Sequence, residues 1–264
     1  MDALEALALG IIQGITEWLP VSSSGHLVIS EELLGLPASE NLVFDLVVHL
    51  GTLFAVLVYF RKELWRIVAA FFRRGVAKGS QEHELRILGA LLLLGTVPAG
   101  AAGVLFNDAI GNVFDIRYVG FALIANAVLL FGFERFFSKG AKKKASPLDA
   151  IVIGVFQAIA IIPGISRSGS TIGGGMLRGL ERETAAVFAF LLSVPVLAGA
   201  FTYGMLTLEK YEAALDTSAI GFVSAMLVGL VSIRYLLKIV RSGKLWMFSV
   251  YCAALGAAVV AYTL

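Results

Sequence analysis

Two short serine-rich turns, each beside a charged residue, are the parts of the sequence best suited to chemistry. The first, residues 20–25, reads Pro-Val-Ser-Ser-Ser-Gly and lies between Glu17 and His26. The second, residues 163–169, reads Pro-Gly-Ile-Ser-Arg-Ser-Gly and contains Arg167. Both turns interrupt apolar segments, where a charged side chain costs roughly 2.5–3.5 kcal/mol on insertion scales and is therefore a functional candidate. The structural alternative is that Glu17 and Arg167 only pair with each other and hold the two segments together.

Each turn leads into a predicted helical arm, the first starting near His26 and the second near Ser170. A helix N-terminus presents unpaired N–H groups and the positive end of the helix dipole, which favours bound phosphate. A single serine would be enough for an N-cap, whereas these turns carry Ser-Ser-Ser and Ser-Arg-Ser. Arginine adds a planar pair of donors that matches phosphate oxygens. The combination predicts an anion site inside a membrane, for a phosphate or diphosphate that is linked to a lipid.

The composition of the whole chain also indicates a membrane protein. The 264 residues are 58% hydrophobic and 15% charged, with a mean hydropathy of +0.87, whereas soluble domains carry about 25% charged residues. These values exclude a cytosolic enzyme, a disordered protein and a nucleic-acid binder. The net charge of +2 is too small to attract a partner by itself. Because Cys252 is the one cysteine in the sequence, a disulfide framework and a cysteine-based zinc site are excluded as well.

Six apolar runs are long enough to cross a bilayer, which takes about 20 residues. They cover roughly 42–60, 86–106, 117–137, 185–206, 218–237 and 245–263. Two further apolar stretches, 3–36 and 148–180, are broken by the serine-rich turns, and their uninterrupted arms are too short to cross. The sequence therefore predicts an all-α integral membrane protein with six transmembrane helices and two re-entrant helix pairs, in a single domain over 1–264. The tryptophans are expected to be interfacial anchors: Trp18, Trp65 and Trp246.

The loop charges predict the orientation of these spans. Lysine and arginine concentrate in a basic loop at 61–86, in the stretch 135–144 and in the loop 238–244. The N-terminal region and the remaining connections are predominantly acidic and contain only two basic residues, Arg117 and Lys210. Their acidic residues are Asp2, Glu5, Glu31, Glu32, Glu40, Asp108, Asp115, Glu209, Glu212 and Asp216. Basic loops favour the cytoplasm, so both termini are expected outside. The first broken segment then enters from the outside and the second from the cytoplasm.

An internal repeat supports the same arrangement. A shift of 144 residues superimposes six identical residues of the first broken segment on the second: Gly10, Gln13, Ile15, Ser22, Ser24 and Gly25 on Gly154, Gln157, Ile159, Ser166, Ser168 and Gly169. Each half contains one broken pair and three spans, and because three is odd the halves must be inverted. The repeats cover roughly 1–140 and 145–264, joined by a lysine-rich linker. Inverted repeats with broken helices place their site near the midplane, where the breaks meet.

The two broken segments resemble one known family, the undecaprenyl-diphosphate phosphatases, also called bacitracin-resistance proteins. Residues 13–26 look like the family's Glu/Gln-x-x-x-Glu motif with its Pro-Val-Ser-Ser-x-Gly-His extension. Residues 163–171 look like its Pro-Gly-x-Ser-Arg-Ser-x-x-Thr motif. The resemblance runs over essentially the whole chain. It implies hydrolysis of undecaprenyl diphosphate to undecaprenyl phosphate and inorganic phosphate in a bacterial plasma membrane, which recycles the cell-wall lipid carrier and confers bacitracin resistance.

The resemblance also implies roles for individual residues. Ser23 is expected as the nucleophile, and Arg167 is expected to hold the diphosphate. Further substrate contacts are expected from Gln13, Ser22, Ser24, Ser166, Ser168 and Thr171. The family is stimulated by divalent cations, so Mg²⁺ or Ca²⁺ is expected, with Glu17 as a ligand. Two departures stand out, because Gln13 occupies a position that is glutamate in many members and Ser24 one that is often threonine.

Two residues are candidates for the base that activates Ser23. His26 follows Ser23 by three residues and Glu17 precedes it by six, and we favour His26 as the base with Glu17 orienting it or binding a metal. Nucleophilic attack by His26 or by water directly is the alternative. Lipid phosphatases of the PAP2 type also use Ser-Gly-His and Ser-Arg turns, but Gly173 stands where their nucleophilic histidine would be. His49, inside the first span, is interpreted as a packed, hydrogen-bonded histidine that faces the bundle, and a place in the lining of the site is the alternative.

Two other functions share these features. A secondary transporter would also have inverted repeats, broken helices and charges near the midplane, although six spans are few for that class. A flippase for the lipid diphosphate would need the anion site without hydrolysis. The outward orientation of the first broken pair favours an extracytoplasmic opening, and a homodimer is left open.

Overall fold

The described part of the chain folds into helices. The structure is a computed structural model and describes residues 1–36, 41–106, 115–137, 139–207 and 215–264. These residues form α1 (Ala3–Thr16), α2 (Ser23–Leu34), α3 (Leu42–Tyr59), α4 (Arg61–Phe72), α5 (Gln81–Leu105), α6 (Ile116–Phe137), α7 (Pro147–Ile159), α8 (Arg167–Leu177), α9 (Arg182–Thr207), α10 (Leu215–Ser242) and α11 (Trp246–Thr263). The predicted all-α class is confirmed. Five loop charges used for the orientation lie outside the described residues: Glu40, Asp108, Glu209, Lys210 and Glu212.

Six of the described helices are long and apolar enough to cross a membrane, namely α3, α5, α6, α9, α10 and α11. They coincide with the six apolar runs of the sequence, although α5 begins five residues before its run and α10 extends further at both ends. Many large apolar side chains on these helices face outward, as a lipid-facing surface requires. The chain is therefore a multi-pass membrane protein.

The two broken segments each form a pair of short helices. α1 and α2 have 14 and 12 residues, and α7 and α8 have 13 and 11. At about 1.5 Å per residue, the longest of the four spans only about 21 Å, short of a hydrocarbon core of about 30 Å. The structure confirms that both segments break at the serine-rich turns. Their re-entrant course in a membrane stays a prediction.

Serine caps determine where the second helix of each pair begins. The Ser22 hydroxyl accepts the backbone N–H of Gly25 at 3.3 Å, and the Ser166 hydroxyl accepts that of Gly169 at 3.1 Å. Both helices therefore begin three residues before the predicted starts, because the first serine of each turn satisfies an N–H group of the first helical turn. Ser22 adopts a φ of +69°, which turns the chain sharply out of the break.

The prediction of a basic loop over 61–86 is wrong in its first part, where α4 forms. Arginine and lysine lie on the exposed side of this helix, while Ile67 and Ala70 are buried. The side chains of Ile67 and Phe71 lie against Gly89 of α5. Although the segment is rich in charged residues, it forms an amphipathic helix, because its buried apolar residues recur at the three- to four-residue spacing of one helix face.

Equivalent positions of the predicted repeat mediate equivalent helix contacts. α1 packs against α10 and α7 packs against α5. A Cβ atom on Gly10 would approach the carbonyl oxygen of Gly221 in α10 to 2.6 Å, and one on Gly154 would approach that of Gly95 in α5 to 2.4 Å. Glycine is required at both positions because the helix backbones approach closely there. These contacts agree with an inverted repeat, which stays a prediction.

The orientation of the spans can be tested by reporter fusions. A reporter after Lys143 is expected to report the cytoplasm, and one at Leu264 the outside, because three spans separate these points. Paired reporters that need opposite compartments for activity, placed at both sites, provide the matched control. Reports from the same side at both sites would contradict six spans.

Candidate active site

The breaks of the two helix pairs meet in the structure, and Asn126 of α6 joins them. Its amide nitrogen donates to the carbonyl oxygen of Pro20 at 3.2 Å, and its amide oxygen accepts the N–H of Ser166 at 3.0 Å. The Asn126 side chain is buried. One amide thus satisfies a backbone acceptor of the first turn and a backbone donor of the second, which would otherwise be costly to bury.

The turns also bond to each other directly. The N–H of Gly164 donates to the Ser22 hydroxyl at 3.1 Å, and the Ser168 hydroxyl donates to the carbonyl oxygen of Leu19 at 3.0 Å. Gly164 has a φ of +99°, and a Cβ atom there would lie 2.5 Å from the Ala122 side chain. The serines therefore hold the start of α2 and the start of α8 beside one another.

Glu17, at the end of α1, is the centre of the side-chain contacts between the turns. Its Oε2 accepts the Ser23 hydroxyl at 2.5 Å and the Gln13 amide at 3.0 Å. Its Oε1 accepts an N–H of Arg167, with which it forms an ion pair. The Nε2 atom of His49 lies 3.7 Å from Oε2. A carboxylate that is 3% exposed thus accepts hydrogen bonds from side chains of α1, α2 and α8, and a histidine ring of α3 lies close to it.

The Arg167 side chain is fixed on two sides. Besides its bond to Glu17, its guanidinium lies over the ring of Trp18, 5.7 Å from the centroid, a distance at which a cation is attracted to the aromatic face. Trp18 is 1% exposed and packs edge-on against Phe190. The expectation that Trp18 anchors the protein at the membrane interface is therefore wrong, because its ring is the buried support of the arginine.

His26 points away from Ser23. Its Nδ1 atom donates to the carbonyl oxygen of Ser22 at 2.7 Å, and its Nε2 atom lies 2.7 Å from the hydroxyl of Tyr251, on whose ring it stacks. With Nδ1 as the donor, Nε2 of a neutral imidazole accepts the tyrosine hydroxyl. The structure therefore brings Ser23 to Glu17 and not to His26.

The other predicted substrate contacts take part in the turns themselves. The Ser24 hydroxyl lies 3.4 Å from that of Ser22, and the Ser166 and Ser168 hydroxyls are 3.1 Å apart. The Thr171 hydroxyl donates to a backbone oxygen of its own helix at 2.8 Å. A direct contact of these side chains with substrate stays a prediction.

The sequence analysis misses two residues at the site, Asn126 and Tyr251, and names a third, His49, only as an alternative. The sequence predicts a packed, hydrogen-bonded His49, and its Nδ1 does donate to the carbonyl oxygen of Asp45 at 2.7 Å, yet its other nitrogen faces Glu17. A polar residue within an apolar span is a signal that could have marked His49 and Asn126. Tyr251 carries no such signal, because tyrosine is common near the ends of spans.

Comparison with known proteins identifies the family. A family model described as bacitracin resistance protein BacA matches residues 6–258. The chain belongs to this family. Several relatives that match nearly the whole chain carry the name undecaprenyl-diphosphatase. The relative from Carboxydothermus hydrogenoformans is 41% identical over 97% of this chain and 95% of its own. The relative from Halothermothrix orenii is 40% identical over 97% and 96%, and that from Korarchaeum cryptofilum is 37% identical over 98% of both chains.

Membership in the BacA family confirms the resemblance that the two motifs suggested. The match extends over both halves of the chain, so both serine-rich turns lie within the matched residues. Within this BacA protein, the motif residues that are far apart in sequence meet at the ion pair between Glu17 and Arg167.

Proposed function

We propose that the protein hydrolyses undecaprenyl diphosphate to undecaprenyl phosphate and inorganic phosphate. The observation that carries this proposal is the meeting of the two turns, where the Ser23 hydroxyl donates to Glu17 beside the guanidinium of Arg167. A nucleophile, a base and a phosphate-binding cation thus lie together in a membrane protein. The reaction recycles the lipid carrier of cell-wall synthesis and supports bacitracin resistance.

Glu17 is the base in this mechanism. Its Oε2 atom lies 2.5 Å from the Ser23 oxygen, within the reach that proton transfer needs. The Ser23 oxygen attacks the terminal phosphorus, its proton passes to Glu17, and the bond from that phosphorus to the bridging oxygen breaks. Undecaprenyl phosphate leaves, and water then hydrolyses the phosphoserine to free phosphate.

Arg167 contributes positioning and charge in the same mechanism. Phosphoryl transfer depends mainly on alignment and on stabilising the charge of the transferred group. Diphosphate oxygens at the site compete with Glu17 for the guanidinium. A carboxylate that shares Arg167 with the substrate is a stronger base, because less positive charge then stabilises its ionised form. The starts of α2 and α8 add the positive ends of their dipoles.

A divalent cation fits this centre poorly. One oxygen of Glu17 is bonded to Arg167 and the other to Ser23 and Gln13. No group of three or more His, Cys, Asp or Glu side chains with the geometry of a metal site occurs among the described residues. The expectation of Mg²⁺ or Ca²⁺ with Glu17 as a ligand stays a prediction from the family resemblance, and no step of the mechanism passes through a metal.

The proposed setting is the plasma membrane of a bacterial cell, with both termini outside and the substrate arriving laterally within the bilayer. The predominance of basic residues in the connection between α3 and α5 and in the linker before α7 supports this orientation. Homodimer formation is a separate proposal, testable by the mass of the purified protein in detergent.

Phosphate release by the purified protein in detergent tests the function. Undecaprenyl diphosphate is expected to yield one phosphate per molecule, whereas undecaprenyl phosphate should yield none, because the lipid-linked phosphate is the leaving group. A Ser23→Ala preparation, purified in parallel, controls for contaminating phosphatases. Movement of the lipid diphosphate across vesicles without phosphate release would instead identify a transporter or flippase.

A further inference from the structure

Helix α4 has more apolar surface than its packing against α5 covers. Ile67 lies against Gly89 of α5, whereas Trp65, Val68 and Phe72 are 73%, 50% and 82% exposed. These three side chains recur at three- and four-residue spacing and therefore share one side of the helix. We call this side the apolar edge. Contiguous exposed apolar side chains mark a surface that contacts a membrane or another protein.

A second exposed side of α4 is basic. Lys62, Arg66 and Arg73 repeat at spacings of four and seven residues, so they also share one side of the helix. With 3.6 residues per turn, this basic edge lies about 100° around the helix axis from the apolar edge. Arg73 pairs with Glu82, but the ion pairs of the described residues include neither Lys62 nor Arg66. Both side chains are exposed and available to an anion.

Contacts with α5 hold α4 in a fixed direction. Arg86 of α5 donates from Nε to the carbonyl oxygen of Ala70 at 2.7 Å, and a second N–H group of Arg86 donates to the carbonyl oxygen of Arg73. Carbonyl groups at the end of a helix have no acceptor role within the helix, so these bonds fix the end of α4. Together with the packing of Ile67, they present both exposed edges in a constant direction.

The place of α4 in the chain sets its depth relative to the bilayer. Phe60 is the residue between the end of α3 and the start of α4, and α3 is one of the six helices that can cross a membrane. The first turn of α4 therefore lies where a span leaves the hydrocarbon core. Helices with aromatic side chains on one side and lysine or arginine on another are typical of the membrane interface.

We propose that α4 lies along the membrane surface and binds anionic phospholipids. The apolar edge contacts the acyl chains, and Lys62 and Arg66 contact the headgroup phosphates. Lysine and arginine at this depth attract anionic headgroups. Residues 61–74 contain five basic residues and one acidic residue, Glu63, so the charge of the helix matches that of such lipids. The proposal does not depend on the phosphatase activity.

The basic edge also argues against a second copy of the chain as the occupant. Two-fold dimers place the same surface of each subunit face to face. Lys62 and Arg66 of one copy would then approach those of the other, and like charges without a counter-ion repel each other. An anionic headgroup instead supplies the missing negative charge.

Quenching of tryptophan fluorescence by lipids with brominated acyl chains tests the proposal in reconstituted vesicles. In the Trp246→Phe variant, Trp65 is the tryptophan that lipid can reach, because Trp18 is 1% exposed. At low salt, brominated phosphatidylglycerol diluted in phosphatidylcholine is expected to show about fivefold higher apparent affinity for Trp65 than brominated phosphatidylcholine. The additional double substitution Lys62→Gln/Arg66→Gln should remove this preference. A high KCl concentration should weaken it, because salt screens exposed charges.

The matched control is Lys139→Gln/Lys143→Gln in the same Trp246→Phe background. It removes the same charge from exposed lysines of the linker and should retain the preference. The salt dependence is measured with α4 unaltered, so the test does not require the α4 variant to fold. Equal quenching by the two lipids would overturn the proposal, as would a preference that persists in Lys62→Gln/Arg66→Gln. Failure of both lipids to quench Trp65 would indicate that another protein surface covers α4 and would also overturn it.

Discussion

Ser23→Ala is expected to lower the rate of phosphate release by at least about 10³-fold while the fold remains intact. Removing the nucleophile of a hydrolase leaves only the contribution of binding and positioned charges. The Ser23 hydroxyl donates to Glu17 and caps nothing, so its loss should change the melting temperature little. The measurement is phosphate release from undecaprenyl diphosphate beside a melting curve in the same detergent.

Ser30→Ala is the matched control for this experiment, because Ser30 lies on the same helix and takes no part in the site. Its activity should equal that of the wild type. Trapping of radioactive phosphate on the wild-type chain in an acid quench, and its loss in Ser23→Ala, would identify the serine as the attacking group. A rate within a few-fold of wild type for Ser23→Ala would instead favour direct attack by water.

The general position of the active site is predictable from the sequence because the evidence for it is local. Run lengths mark the six spans, and polar turns within apolar segments mark the two breaks. The repeat then implies that the breaks meet, which the contact between Glu17 and Arg167 bears out. Each of these inferences uses residues that are near one another in the chain, or a symmetry that the sequence itself displays.

The partners of the site residues are less predictable, because tertiary packing selects them. His26 is three residues from Ser23, yet its ring stacks on Tyr251 of α11, 225 residues away. Spacing along one helix gives no information about the helix that packs beside it. The prediction for Trp18 is wrong for the same reason, since amphipathic tryptophan suits both an interface and a buried support beneath Arg167.

The sequence leaves two roles for Arg167 as alternatives, an ion pair with Glu17 and the binding of phosphate, and the bond between Arg167 and Glu17 bears on both. An ion pair between the segments exists, and it lies beside the Ser23 hydroxyl rather than in a remote structural contact. A guanidinium that only joined the two halves could be replaced by any cation that reaches Glu17. One that also binds the transferred phosphate must present two oriented donors. The shape of the cation therefore separates the two roles.

Arg167→Lys is accordingly expected to lower phosphate release by about 10²-fold or more, a loss typical of removing one transition-state donor, with little change in melting temperature. The ammonium group keeps the charge that compensates Glu17 but not the planar pair of donors. Arg167→Gln should in addition lower stability, because it leaves the buried carboxylate of Glu17 without its main counter-ion.

Arg178→Lys is the matched control, since Arg178 caps the other end of α8 and pairs with Asp149 away from the site. It should retain wild-type activity. Activity within a few-fold of wild type for Arg167→Lys, together with a destabilised Arg167→Gln, would assign Arg167 a structural role alone and would favour a transporter.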